Sequence, residues 1–335
     1  MATLDIFNDD AFSLSSLSQT ITDIPRVPTQ LGDEGLFNEY GINTLSVMIE
    51  RQGSKIQLVP SAPRGGVPQP GTRSGRKLFP LVATHLPQSD SILADEVQGV
   101  RAFGTETEVM AVTTMVNRRL ADLKMNLDLT MEYQRVGALK GQVLDANGSD
   151  VLWNMYTLFG FTQQTHYFAL ANAATDVKQK CVLLKRAIQS QLGGKSMSRV
   201  RVKCSETFFD ALVGHTTVKK AWELWQSGAF ARQDQSEGDF EYAGVVFQIY
   251  SGGTSAGDFM PTDLGYAYPE GVPNMFQIAY APANFMETVN TNGLPYYAKQ
   301  KVNQWETGVD LYTQTNPVTF NSLPEAVIVV SAAAS

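Results

Sequence analysis

Apolar residues recur in steps of three or four through Val109, Val112, Val116, Leu120, Leu123, Leu127 and Met131. On a helix that spacing makes one continuous stripe. It predicts a single helix over residues 105–141, about ten turns and about 50 Å long. Thr105 and Glu108 form a capping-box pattern at its start. Glu106 and Glu108 sit in the first turn and Arg135 and Lys140 near the end, which complements the helix dipole. Gly141 supplies a stop. So long a helix exceeds what a compact domain needs and predicts a spine laid along a flat, extended molecule.

Elsewhere the patterns are shorter. Residues 1–45 mix small apolar patches (Phe7, Phe12, Leu14) with the steps Ile24-Pro25 and Val27-Pro28, which favour extended backbone. They predict an arm with at most one short helix, docked on something rather than forming a core. Residues 46–60 and 76–84 pattern as strands around a Pro- and Gly-rich basic loop at 61–75. That is a two-stranded flap reaching away from the body, and such a hairpin is marginal alone, so it implies a surface to lie on. Asp90 or Ser91 is placed to cap a short helix through Ile92, Leu93 and Val97. Past the spine, Asn147-Gly148 marks a hairpin turn between Val143-Leu144 and Val151-Leu152-Trp153. A second helix is predicted at 173–191. Val200, Val202 and Cys204 alternate with Arg199, Arg201 and Lys203, as in a half-buried strand. Ser205 then caps a helical run interrupted near Gly214. FEYAGVVFQIYSGG is a further strand or hairpin, residues 264–315 alternate strand patterns with turns, and AVIVV near the end is a buried strand. Helices and strands mix without a strict βαβ repeat, so the class is α+β.

The 335 residues suffice for two domains, and 43% hydrophobic against 18% charged residues predicts packed cores rather than disorder. No apolar run approaches a membrane span, and the acidic N-terminus lacks the basic start of a signal peptide. Cys181 and Cys204 make neither a disulfide framework nor a zinc site and fit a reducing cytosol. The net charge of −7 argues against a general nucleic-acid binder. Its distribution says more. Residues 1–50 carry eight acids (Asp5, Asp9, Asp10, Asp23, Asp33, Glu34, Glu39, Glu50) and one base, Arg26. Residues 51–89 carry six bases (Arg51, Lys55, Arg64, Arg73, Arg76, Lys77) and no acid. Adjacent blocks of opposite sign suit pairing, within one chain or between copies.

Catalytic chemistry finds little support. Leu192-Gly193-Gly194-Lys195-Ser196 resembles the end of a phosphate-binding loop, but Gln189 stands where the first glycine belongs and a helical pattern precedes it. A helix C-cap and turn explains it. His85, His166 and His215 lack metal spacing. No Gly-x-Ser-x-Gly or His-Glu-x-x-His occurs, and Asp210, Glu223 and Glu241 have no recognisable partner arrangement. Trp222 and Trp225 pack a core or an interface. The basic flap lacks the interleaved aromatics that stack bases. No catalytic residue, cofactor or metal is expected.

Three stretches carry a family resemblance: EYQRVGALKGQVLDANGSDVLWNMYTLFG, then GYAYPEGVPNMFQIAYAPANFMETVNTNGLPYYAKQ, then TNPVTFNSLPEAVIVV. In this order they resemble the major capsid protein E family of lambda-like tailed phages, over about residues 40–332. Lys301 after YAKQ departs from the acid expected there. The resemblance implies the tailed-phage capsid fold shared with encapsulin shells: an N-arm (1–45), an E-loop flap with its flanking strands (46–90), and a peripheral domain (91–165) carrying the spine helix. An axial domain (166–310) and a final strand returning to the peripheral domain (311–335) complete it. It implies a head protein that assembles into hexamers and pentamers of an icosahedral shell around double-stranded DNA, made in the host cytoplasm and used in the virion. Expected partners are further copies, scaffolding, portal and decoration proteins, and DNA held non-specifically. Arg64, Arg73, Arg76 and Lys77 of the flap should meet acids such as Asp5, Asp9, Asp10, Asp33 and Glu34 of a neighbour's arm. Arg118, Arg119 and Lys124 of the spine should point away from its own core, to the lumen or a neighbour. An encapsulin-like compartment and a nucleotide-dependent enzyme using residues 193–196 are the alternatives.

Overall fold

The computed structural model describes residues 10–26, 29–52, 76–97, 108–227, 239–254 and 257–334. A 3-10 turn (Asp10–Phe12) precedes helix α1 (Leu14–Asp23), the single turn α2 (Gln30–Asp33), strand β1 (Asn38–Gly41) and the ribbon β2 (Ser46–Gln52) and β3 (Arg76–Val82). Strand β4 (Leu86–Leu93) runs into the turn α3 (Ala94–Val97), and the long helix α4 (Glu108–Lys140) follows. The hairpin β5 (Gln142–Leu144) and β6 (Val151–Asn154), helix α5 (Met155–Phe159) and strand β7 (Thr165–Tyr167) lead to α6 (Val177–Gln191). Next come β8 (Val200–Cys204), α7 (Glu206–Gly214), α8 (Thr216–Ser227), β9 (Phe240–Tyr242), β10 (Val245–Ile249), β11 (Gly253–Thr254), β12 (Gly257–Asp258) and β13 (Leu264–Pro269). Strands β14 (Phe276–Tyr280), β15 (Tyr297–Val302), β16 (Gly308–Thr315), β17 (Pro317–Asn321) and β18 (Ile328–Ser331) close the chain.

The 33 residues of α4 make a rod about 50 Å long. Val116, Leu120, Leu123, Leu127 and Met131 of the predicted stripe are all buried, against β4, β16 and β17. Thr105 lies outside the described residues. The helix stops because Gly141 turns left-handed at φ +82°, and a Cβ there would lie 2.5 Å from the Tyr156 ring. The chain then folds straight back, pairing β5 with β6 through the Asn147-Gly148 turn.

The strands fall into two bodies. One is a six-stranded sheet, ordered β7-β18-β13-β8-β10-β9. On one face Val200, Val202, Cys204, Val245, Phe247 and Val330 meet Leu184 of α6 and Phe208 of α7 in a core of their own. Ser205 caps α7 as predicted, accepting from the Phe208 amide. The other body packs the antiparallel sheet β15-β16-β4 and the sheet β1-β14-β17 against α4.

Four expectations change. First, the N-terminal segment is not merely an arm laid outside the core. It forms α1 and α2, and Phe12, Leu17, Ile21 and Leu31 are buried in the same cluster as α4. Leu14, Leu17 and Ile21 share one side of α1, a stripe that the X-Pro steps around it obscured. Second, residues 86–93 are strand, paired along their whole length with β16, and only residues 94–97 are helical. The ladder partner lies more than two hundred residues away, so local sequence could not reveal it. Third, the basic side of β8 is largely covered: Lys203 is fully buried, and Arg201 is half-buried against Glu270 and Asp239. Fourth, β18 pairs with neither sheet of the α4 body, although it packs against that core through Val329. It pairs with β13 and β7 in the six-stranded sheet. Ile328 and Val330 enter the helix-side core and Val327 and Val329 the other; a continuous apolar run needs a strand position covered on both faces.

Candidate assembly surfaces

The β2–β3 ribbon is the least complete element. Its register sets Val47 opposite Leu81 and Met48 opposite Pro80. Ile49, Phe79 and Leu81 turn toward the body, where Phe79 meets Phe159 edge-on with centroids 5.1 Å apart. Met48, Leu78 and Val82 turn outward and are 60–68% exposed. Successive side chains of a strand point to opposite faces, so one face is packed and the other presents bare apolar carbon. At the root, a groove of about 940 Å³ lies between residues 79–84 and residues 151–158. Exposed apolar side chains also occur at Met286 and at Trp305, the latter in the turn joining β15 to β16.

The charged residues expected at contacts divide. Arg64, Arg73, Asp5 and Asp9 lie outside the described residues. Arg76 and Lys77 open β3, opposite Gln52 and Arg51. Asp10 and Asp33 are exposed. Glu34 is engaged within the chain, where it pairs with the buried Lys203. Burial lowers the Lys203 pKa, and Glu34 only partly offsets this. Of the three spine cations, Arg118 is exposed. Arg119 pairs with Asp90 at 3.3 Å and Glu96 at 2.8 Å.

Lys124 corrects its expectation outright. It is 1% exposed. Its ammonium donates to the carbonyls of Ile21 (2.8 Å) and Thr22 (3.2 Å) and to that of Ile24, at the end of α1. It also lies 4.7 Å from the centroid of the Tyr296 ring. A cation there satisfies orphan carbonyls and complements the dipole of α1. Burial lowers its pKa, and Asp128 opposes that shift. Asp128 accepts from the Tyr296 hydroxyl. One turn on, Glu132 Oε1 accepts from the Leu31 amide (2.8 Å) and the Tyr250 hydroxyl (3.0 Å). Arg135 bridges Glu132 and Glu39, and Glu39 also accepts from Arg26 and the Tyr280 hydroxyl. Burial alone would raise the Glu39 carboxyl, but Arg26 and Arg135 hold it below its ordinary value. These positions sit one step round the helix from the apolar stripe. The only sequence signal was four ionisable residues at spacings of three and four beside that stripe.

The phosphate-loop-like turn is no nucleotide site. Gly193 and Gly194, both at positive φ, end α6 instead of linking a strand to a helix. His215 is a buried cap after α7, bonded to Thr217 and the Asn172 carbonyl. Burial pushes the Cys181 thiol up to about 12. Among the described residues no group of His, Cys, Asp and Glu could hold a metal, and no helix is long and apolar enough to cross a membrane.

The family model described as phage major capsid protein E matches residues 13–332. A major capsid protein of Salmonella phage Felix O1 is 23% identical over 96% of each chain. One of Pseudomonas phage KPP10 is 25% identical, covering 95% of this chain and 96% of that one. Two solved structures share the fold. A phage-related protein from Bordetella bronchiseptica RB50 gives a TM-score of 0.53 at 12% identity over 95% and 96% of the two chains. The capsid of an empty GTA particle gives 0.54 at 11% identity over 93% and 92%.

Proposed function

Because the chain belongs to the phage major capsid protein E family, and is thus a structural component of a phage head, we propose that its copies form the hexamers and pentamers of an icosahedral shell around double-stranded DNA. The observation that carries the mode of assembly is the ribbon's bare face, where Met48, Leu78 and Val82 are 60–68% exposed. Each ribbon acts as the E-loop flap and lies over a neighbour, with the basic residues Arg64, Arg73, Arg76 and Lys77 meeting acids such as Asp10 and Asp33. Burial summed over many such contacts stabilises the wall although each is modest. Glu34 drops out of this set, since Lys203 already holds it.

The division of labour follows the two bodies. Residues 1–45 serve as the N-arm, though seated from Asp10 onward. The body built on α4, with β4 and β14 to β17, serves as the peripheral domain. The six-stranded sheet with α6, α7 and α8 serves as the axial domain, and takes β18 with it. Assembly takes place in the host cytoplasm, with scaffolding, portal and decoration proteins as further partners and DNA held by non-specific contact. The role requires no catalysis.

Electron microscopy of the expressed protein tests the reading. Parent protein should give closed shells, and M48S/L78S/V82S should give folded, soluble subunits. Normal shells from that triple variant would remove the ribbon from the assembly surface. A parent that stays monomeric at every concentration and salt would remove the shell itself.

A further inference from the structure

The side of α4 that meets the N-terminal segment is ionic where a core face is normally apolar. Lys124, Asp128, Glu132 and Arg135 are each at most 3% exposed. Stability alone does not account for them. Buried ions lose hydration, and well-packed apolar residues of similar volume are often as good or better. Their distinction is direction. Lys124 addresses three carbonyls that only a helix end offers, those of Ile21, Thr22 and Ile24. Glu132 addresses one amide, Leu31, at the first turn of α2. Arg135 addresses one carboxylate, Glu39 on β1, which Arg26 and Tyr280 also hold.

Three receptors on one helix therefore address three kinds of group on the segment, each at one place in its sequence. A slip by one helical turn would set Lys124 against peptide groups already bonded inside α1, and would take the Leu31 amide from Glu132 and the Glu39 carboxylate from Arg135. The apolar contacts of Leu17, Ile21 and Leu31 carry no such veto, because burial of carbon is not directional. We propose that the ionic stripe is a register device: it places the N-terminal segment on α4 more than it holds it there. Asp10, from which the preceding residues continue, then sits at one fixed point on the body. The consequence for shell geometry rests on the shell reading; the register does not.

The test uses the full chain with K124M, D128N, E132M and R135M combined with Y250F, so that no member of the stripe is left as a lone buried charge and the hydroxyl that Glu132 accepts is also removed. Spin labels at S15C on α1 and R118C on the exposed face of α4 report the register by pulsed EPR, since Cys181 and Cys204 are buried. The parent should give one narrow distance peak. The variant should melt no lower than the parent yet give a broad or split distribution, with components displaced by about 5 Å, one helical turn. A single narrow peak at the parent distance overturns the proposal. So does a broad distribution with a melting temperature lowered by several degrees, because the stripe would then be holding the segment. If that variant does not fold, E39Q, which weakens only the last link and leaves the Glu132–Arg135 pair in place, is measured the same way. Partial broadening is expected, and an unchanged distribution overturns the proposal. Particle images of the same variants answer the separate question of whether shells need the register.

Discussion

The six-stranded sheet and the β2–β3 ribbon are made from similar material and end differently. In the sheet, α6 and α7 cover one face, and the opposite face carries Lys203, Gln248, Tyr266 and Tyr268, all buried in the same subunit. In the ribbon one face is packed on Phe159 and the other is left apolar and open. A strand with alternating side chains always has two faces to satisfy. The sheet satisfies both within the chain; the ribbon satisfies one and leaves the other exposed. On the proposed reading, that difference separates what makes the subunit fold from what makes it assemble.

The sharpest break of the comparison is Phe208→Ala. The ring is fully buried against Phe168 and Phe247, so denaturant unfolding should show a loss of about 3–5 kcal/mol. Arg135→Met comes next. It leaves Glu132 buried without its cation and Glu39 with Arg26 and the Tyr280 hydroxyl, a loss of about 3 kcal/mol. The same measurement should find M48S/L78S/V82S within about 0.5 kcal/mol of the parent despite its assembly defect, as for exposed sites generally. A loss like that of Phe208→Ala would show that the ribbon belongs to the subunit's own fold.

Two smaller effects depend on pH. Burial lowers Lys140 to about 8, and its ammonium donates to the Phe259 carbonyl. A lysine depressed in the folded state costs stability below that pKa, and the cost fades as pH rises from about 8 toward the ordinary lysine value near 10.5. Lys140→Met should therefore melt above the parent at pH 7, with the gap closing by pH 10. Glu39 and Glu270 titrate low despite their burial because arginines face them. Their contribution is present above the ordinary carboxylate range and is lost as pH falls through it. Glu39→Gln should make the acid limb of a stability–pH curve shallower, by the smallest margin of the set.

Much of the architecture was legible locally. The stripe from Val116 to Met131, the stop at Gly141, the Asn147-Gly148 hairpin and the Ser205 cap each depend on residues within a turn or two of one another. What was misread depended on distant partners. Residues 86–93 became a strand because β16 was there to pair with them. Strand alternation puts Lys203 on the polar side of β8, and Lys124 is expected to point away from the core; both are buried because the N-terminal segment brings Glu34 to one and the end of α1 to the other. The pairing of the two ribbon strands was legible, yet the bare apolar face was not, since strand alternation says that two faces differ and not which one the body covers.

Neighbouring residues are enough to specify the long helix, the paired strands of the ribbon, the class of fold and the family, because periodicity, turn chemistry and ordered motifs are local. Only the tertiary structure decided that β18 joins the six-stranded sheet, that α4 carries an ionic stripe beside its apolar one, and that the ribbon is unfinished on its outer face. Burial and charge pairing are properties of what the chain brings together in space. For Lys124 and Ile21, and for Lys203 and Glu34, those partners stand more than a hundred residues apart.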